Sequence, residues 1–150
     1  MAYPRNPYVN SYRDLVVYQK SRELAQKIFE LSQDFPKDEK YSLTDQMRRA
    51  SRSVGANIAE SWGKRRYEKH FISKLTDADS EQYETQHWID IAKDCGYIDD
   101  SIHQHFTQLC TEIGKLLGGM ITNSGKFCHT KNRLRVNDEF SQYFSAPLDL

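Results

Sequence analysis

Residues 102–120, IHQHFTQLCTEIGKLLGGM, carry apolar side chains at Ile102, Phe106, Leu109, Ile113, Leu116 and Met120, at alternating spacings of four and three. That rhythm places them along one stripe of a helix and is the seam of a helix packed among other helices. A strand would need apolar residues at every second position, and this stretch has none of that alternation. Gly118 and Gly119 follow no strand, so the pair is no phosphate-cradling loop and is read as a close-packing point or a bend.

Working outward, three more helices are predicted. The third, about 67–94, carries Phe71, Leu75, Ala78, Ile89 and Ala92 on one face, interrupted by the polar Gln82 and Thr85, and Gly96 ends it. The second, about 43–62, carries Leu43, Met47, Ala50, Val54 and Ile58, with a capping box expected from Ser42 and Asp45 and a C-cap at Gly63. The first, about 12–35, starts at a capping box of Ser11 and Asp14, carries Val17, Leu24, Ile28, Leu31 and Phe35, and is stopped by Pro36. The expected architecture is all-α: an antiparallel up-down-up-down four-helix bundle over residues 1–125, then an irregular tail over 126–150 from which Phe127 folds back.

A chain of 150 residues with 38% apolar and 28% charged residues has the size and balance of one helical domain whose core needs no disulfide or metal. No stretch is long and apolar enough for a membrane span, and MAYPRNPYVNSYR has no apolar signal-peptide core, so the expected location is the cytoplasm and no membrane partner is expected. Cys95, Cys110 and Cys128 are odd in number and lack CxxC spacing, which points to reduced thiols. Net charge is zero, yet it is sorted: residues 45–70 hold seven Lys or Arg and three acids, residues 77–100 eight acids and one Lys, and residues 126–135 four bases and no acid.

A lone bundle needs one apolar stripe per helix, and this chain supplies more. Leu15, Tyr18, Ala25 and Phe29 form a second line on helix 1. Trp88, Ile91 and Cys95 do so on helix 3, and Cys110, Leu117 and Ile121 on helix 4. The plain reading is that the stripes are wide. The other is a homo-oligomer with Leu15, Tyr18, Phe29, Gly55, Ala59, Trp88 and Ile91 at its interface, the small residues admitting a close neighbour. The basic helix 2 and acidic helix 3 would then attract across subunits.

Chemistry is sparse. Glu84 to His87 matches the Glu-x-x-His element of di-iron bundles, but such a site needs two copies and this chain has one. His103 and His105 lie two apart and face different sides of a helix. No metal, cofactor or enzymatic activity is therefore expected. Among the cations, Arg48, Arg49 and Arg52 sit mid-helix, where ion pairing and helix propensity are sufficient reasons for them. Lys64, Arg65, Arg66 and Lys69 follow Gly63 at a helix end, where the dipole favours bases but does not require so many. The leading expectation is a binding module for RNA or DNA through these seven residues, or a scaffold. The alternative is a protein–protein adaptor without nucleic-acid binding.

Leu15-Val16-Val17-Tyr18-Gln19-Lys20, Phe35-Pro36-x-x-Glu39-x-Tyr41-x-Leu43, Gln46-x-Arg48-Arg49-Ala50, Ser53-Val54-x-x-Asn57-Ile58-Ala59-Glu60 and Cys95-Gly96-Tyr97-Ile98 resemble the bacterial 23S rRNA intervening sequence proteins, over about residues 12–125. The resemblance implies a cytoplasmic four-helix bundle without enzymatic activity that assembles into a ring-like homopentamer. It also implies kinship with the accessory variability determinant of diversity-generating retroelements, a basic pentamer that binds nucleic acid and a reverse transcriptase, so a nucleic-acid-processing protein joins the expected partners. Two positions depart from the family pattern: Ser61 stands where Asn-Ile-Ala-Glu is usually followed by Gly, and Asp79-Ser80 where Gly-Ser is common.

Overall fold

The apolar stripes assemble as four long helices in a computed structural model that describes residues 11–128 and 141–145. They are α1 (Val16–Ser32), α2 (Asp45–Gly63), α3 (Glu68–Asp94) and α4 (Asp100–Thr122), followed by a single turn, α5 (Ser124–Phe127). Each helix runs antiparallel to the next, α2 packing on α1 and α3, and α4 closing against α3 and α1. Among the described residues the β structure is one isolated antiparallel bridge between Leu15 and Phe144.

The core follows the predicted stripes closely. Leu24, Ile28, Met47, Val54, Ile58, Phe71, Leu75, Ile113 and Met120 are fully buried, each contributing roughly 1.5–3 kcal/mol relative to exposure. On α4 the stripe departs from the strict heptad. Leu117 and Cys110 are buried, and Leu116 is only half-buried. The reason is the 3.6-residue turn: over several turns a straight helix drifts off a 3.5-residue repeat, so the inward position moves from 116 to 117. Two residues of the supposed second face of α4 thus belong to the core.

The helix starts differ from expectation in instructive ways. Ser11 and Asp14 do form a capping box, but it closes a 3-10 turn, Tyr12–Asp14. Leu15 then goes extended and α1 starts at Val16. Ser42 caps nothing. Its hydroxyl donates to Glu39, whose carboxylate accepts from the Leu43 N–H as well, and a 3-10 turn (Lys37–Glu39) and a π turn (Lys40–Thr44) lead directly into α2. Gly63 is the last residue of α2 and Lys64 its C-cap, whereas Gly96 takes the positive φ of 75° that a left-handed stop requires.

Two glycines set interhelical distances. A Cβ on Gly55 would lie 2.9 Å from the Ser21 hydroxyl, so α1 and α2 approach through Gly55. A Cβ on Gly114 would meet Gln82 at 3.1 Å and Asp79 at 3.4 Å. Gln82 is buried and its amide is spent inside α3, donating to Asp79 and accepting from Gln86. Of the two departures from the family pattern, Asp79 stands at the second of these approaches and holds Gln82, and the buried Ser61 satisfies its hydroxyl on the Ile58 carbonyl at 2.6 Å.

The chain beyond α4 returns to the bundle. Phe127 is fully buried with its ring stacked on Phe71 at 6.0 Å, and Tyr143 and Phe144 cover it from the other side. Antiparallel topology puts the α2–α3 turn, the end of α4 and the start of α1 at one end of the bundle. That end carries Arg13, Lys64, Arg65, Arg66, Lys69 and Lys126 against Asp14, Glu60 and Glu68. The opposite end, where Tyr97 reaches Glu39, carries Asp34, Asp38, Glu39, Asp94, Asp99 and Asp100 against Lys37, Lys40 and Lys93.

Candidate nucleic-acid interface

Helix α2 ends in two successive turns, with the Lys64 N–H on Ser61 and the Tyr67 N–H on Lys64, and this leaves Lys64 and Arg66 exposed. Lys64, Arg66 and Lys69 are exposed and form no ion pair with any described residue. Arg65 is half-buried: its guanidinium lies 3.5 Å from the centre of the Trp62 ring, and its Nε donates to the Trp62 carbonyl at 3.0 Å. Burial pulls the Arg65 pKa below its usual value, partly offset by Cys128.

The nearby acids are occupied. Glu60 is bound to Lys74 at 2.9 Å, which holds its carboxyl below the ordinary carboxylate range. Glu68 accepts from the Ser124 hydroxyl at 2.6 Å, and this bond ties α5 to the start of α3. It brings Lys126, first of the second basic run, to the same end. The rest of that run, Lys131, Arg133 and Arg135, lies outside the described residues.

The mid-helix arginines are held differently. Arg49 reaches across to α3, pairing with Glu84 and with Glu81. Arg48 donates to the Ser32 hydroxyl at 2.8 Å and lies over the Phe29 ring. Both are therefore committed within the chain, and the α2–α3 attraction expected across subunits is, for Arg49, intramolecular. Arg52 remains exposed beside Phe29. Of the seven predicted contacts, the fold brings Lys64, Arg65, Arg66 and Lys69 together and leaves Arg48, Arg49 and Arg52 on the flank.

The predicted interface residues also divide. Leu15 is fully buried against the returning Phe144, so its side chain faces the protomer's own core. Tyr18, Gly55 and Ala59 line a groove of about 220 Å³ between α1 and α2, together with Arg22, Ala25 and Arg52. Phe29 continues it past Arg22 and Arg52. Trp88 and Ile91 are half-buried on α3, and neither lines that groove. Glu84 is bound to Arg49 and the His87 ring abuts Trp88; among the described residues no group of three His, Cys, Asp or Glu side chains is placed to hold a metal ion. No described helix is long and apolar enough to cross a membrane.

Sequence reasoning did not single out the aromatic residues among the cations. Trp62 lies under Arg65, and Tyr67, exposed at 59%, sits 5.4 Å from the His70 ring. The signal was present in SWGKRRYEKH, where aromatic and basic residues alternate in a short span.

None of the functionally curated proteins matches the sequence. Among solved structures, a protein of unknown function from the S23 ribosomal protein family of Bacteroides thetaiotaomicron is 31% identical, with a TM-score of 0.64 over 71% of this chain and 96% of that one. The pattern of the family described as 23S rRNA-intervening sequence protein matches residues 13–119, the four helices and their turns as far as Gly119. The chain belongs to the 23S rRNA-intervening sequence protein family.

Proposed function

We propose that the protein is a non-enzymatic, self-associating four-helix bundle that binds nucleic acid through its basic end. One observation carries the binding site: Lys64, Arg66 and Lys69 stand exposed beside Arg65 at the end of the bundle where the second basic run begins, with the nearest acids engaged elsewhere. Exposed cations of this kind hold phosphates by releasing counterions, so affinity falls steeply with salt. The geometry favours residues 64–69 over Arg48 and Arg49, whose side chains are already bonded inside the chain.

Self-association is supported by the α1–α2 groove, where Tyr18, Ala25, Phe29 and Ala59 remain partly exposed on a face that the described residues do not cover. A pentamer, as the family resemblance implies, would repeat the basic end five times and add weak phosphate contacts through multivalency.

Binding of labelled RNA and DNA, followed by fluorescence anisotropy at low and moderate salt, tests the reading. The expected result is tight binding at low salt that is lost in the triple variant Lys64→Ala, Arg66→Ala, Lys69→Ala with unchanged helicity. Absence of binding at low salt overturns it. Sedimentation equilibrium tests the assembly: Ala59→Arg in the groove should release protomers, and a wild-type monomer removes the oligomeric part.

A further inference from the structure

Tyr41, Tyr67 and Tyr83 are the large apolar side chains most exposed among the described residues; Lys40 lies over the Tyr41 ring, whereas Tyr67 has three exposed cations, Lys64, Arg66 and Lys69, within three positions of it. It joins the α2–α3 turn to α3 in an extended conformation, as the N-cap residue, with no side-chain cap bond. Ser, Thr, Asp or Asn is the usual choice there because its oxygen caps the first turn. Here the position presents a ring to solvent instead, tilted 48° against the His70 ring, with Lys64, Arg66 and Lys69 around it. Trp62 and Arg65 form a second flat, stacked pair one turn away.

A duplex offers such rings nothing, because its base faces are covered by their neighbours and only phosphates and groove edges are accessible. Unpaired bases offer their faces, and an aromatic platform flanked by cations that track the backbone suits them whatever their sequence. We infer that the basic end takes single-stranded nucleic acid in preference to duplex, with Tyr67 as the stacking residue and Lys64, Arg66 and Lys69 as the phosphate contacts. This rests on the nucleic-acid reading of that end.

The test measures the anisotropy of a labelled 20-nucleotide oligouridylate, an oligothymidylate of the same length and a 20-base-pair duplex with the full chain at low salt. The expected preference for the single strands is about tenfold, the worth of one stacked base. Tyr67→Ala should abolish it and leave duplex affinity and the salt dependence unchanged, and Tyr67→Phe should restore it. Equal binding of single strand and duplex by the wild type, or equal weakening of both by Tyr67→Ala, overturns this inference alone. Failure of every probe to bind at low salt overturns the nucleic-acid reading itself.

Discussion

The Arg65 guanidinium lies flat against the Trp62 indole, 3.5 Å from the ring centre, with its Nε–H on the Trp62 carbonyl. One residue thus fixes both the plane and the direction of a cation that would otherwise sample many rotamers. Arg65→Lys retains the charge but loses the stacked plane. The expected outcome is an unchanged salt slope with stability lower by roughly 0.5–1 kcal/mol, the worth of a partly exposed cation–π pair. Denaturant melts of both proteins, with anisotropy titrations at several salt concentrations, check it.

Arg49 and Arg66 are close in sequence and opposite in role. Arg49→Ala removes a partly exposed link to Glu81 and Glu84, so it should lower stability by about 0.5 kcal/mol and leave nucleic-acid affinity unchanged. Arg66→Ala should do the reverse, lowering affinity and reducing the salt slope by about one while the melting temperature holds. Equal effects of the two variants on binding would contradict the division of the cations.

The neighbouring glycines of α4 should respond in opposite senses. A Cβ on Gly118 meets nothing within 4 Å, so Gly118→Ala should stabilise the helix by up to about 1 kcal/mol. A Cβ on Gly119 would clash with the Tyr143 hydroxyl and lie 3.2 Å from its ring. Gly119→Ala should therefore displace the Tyr143–Phe144 segment from the bundle. Thermal melts should show a higher midpoint for the first variant, and limited proteolysis faster cleavage near residue 143 for the second.

Burial pushes the Cys110 thiol up to about 12 and that of Cys128 to about 11, while Cys95 is exposed. Native protein at pH 8 should react with a thiol reagent at Cys95 alone, and at all three cysteines in denaturant. The unfolded thiols ionise near pH 8.5, roughly two and a half to three and a half units lower. Between those values the folded chain holds more protons than the unfolded one, so stability should fall as pH rises above about 9. Denaturant midpoints at pH 8 and pH 10 measure the drop, and Cys110→Ala should shrink it.

Most of the fold was legible because burial follows helical periodicity: the stripes of residues 24–28 and 47–58 repeat without a break, and that of 71–92 keeps its spacing through the buried polar Gln82 and Thr85. The junctions were not. Glu39, rather than Ser42, caps the entry to α2, and nothing in KDEK distinguishes a capping carboxylate from a solvated one. The return of Phe144 to Leu15 spans 129 positions and leaves no local trace. For the site, the run of bases was visible in the sequence, but which of them are tied down was decided by partners on other helices: Ser32 for Arg48, and Glu81 and Glu84 for Arg49. Tyr67 is visible as a residue type, and its exposure among cations emerges only once the turn is folded.

The two ends of the bundle give a neutral molecule a strong lengthwise polarity, with bases gathered around residues 64–69 and acids around residues 94–100. Net charge governs colloidal behaviour, while local charge governs adsorption. At pH 7 and low salt this protein should be retained by both cation-exchange and anion-exchange resins, gripping one through Lys64 to Lys69 and the other through Asp94 to Asp100. The triple variant lacking Lys64, Arg66 and Lys69 should lose only the first attachment.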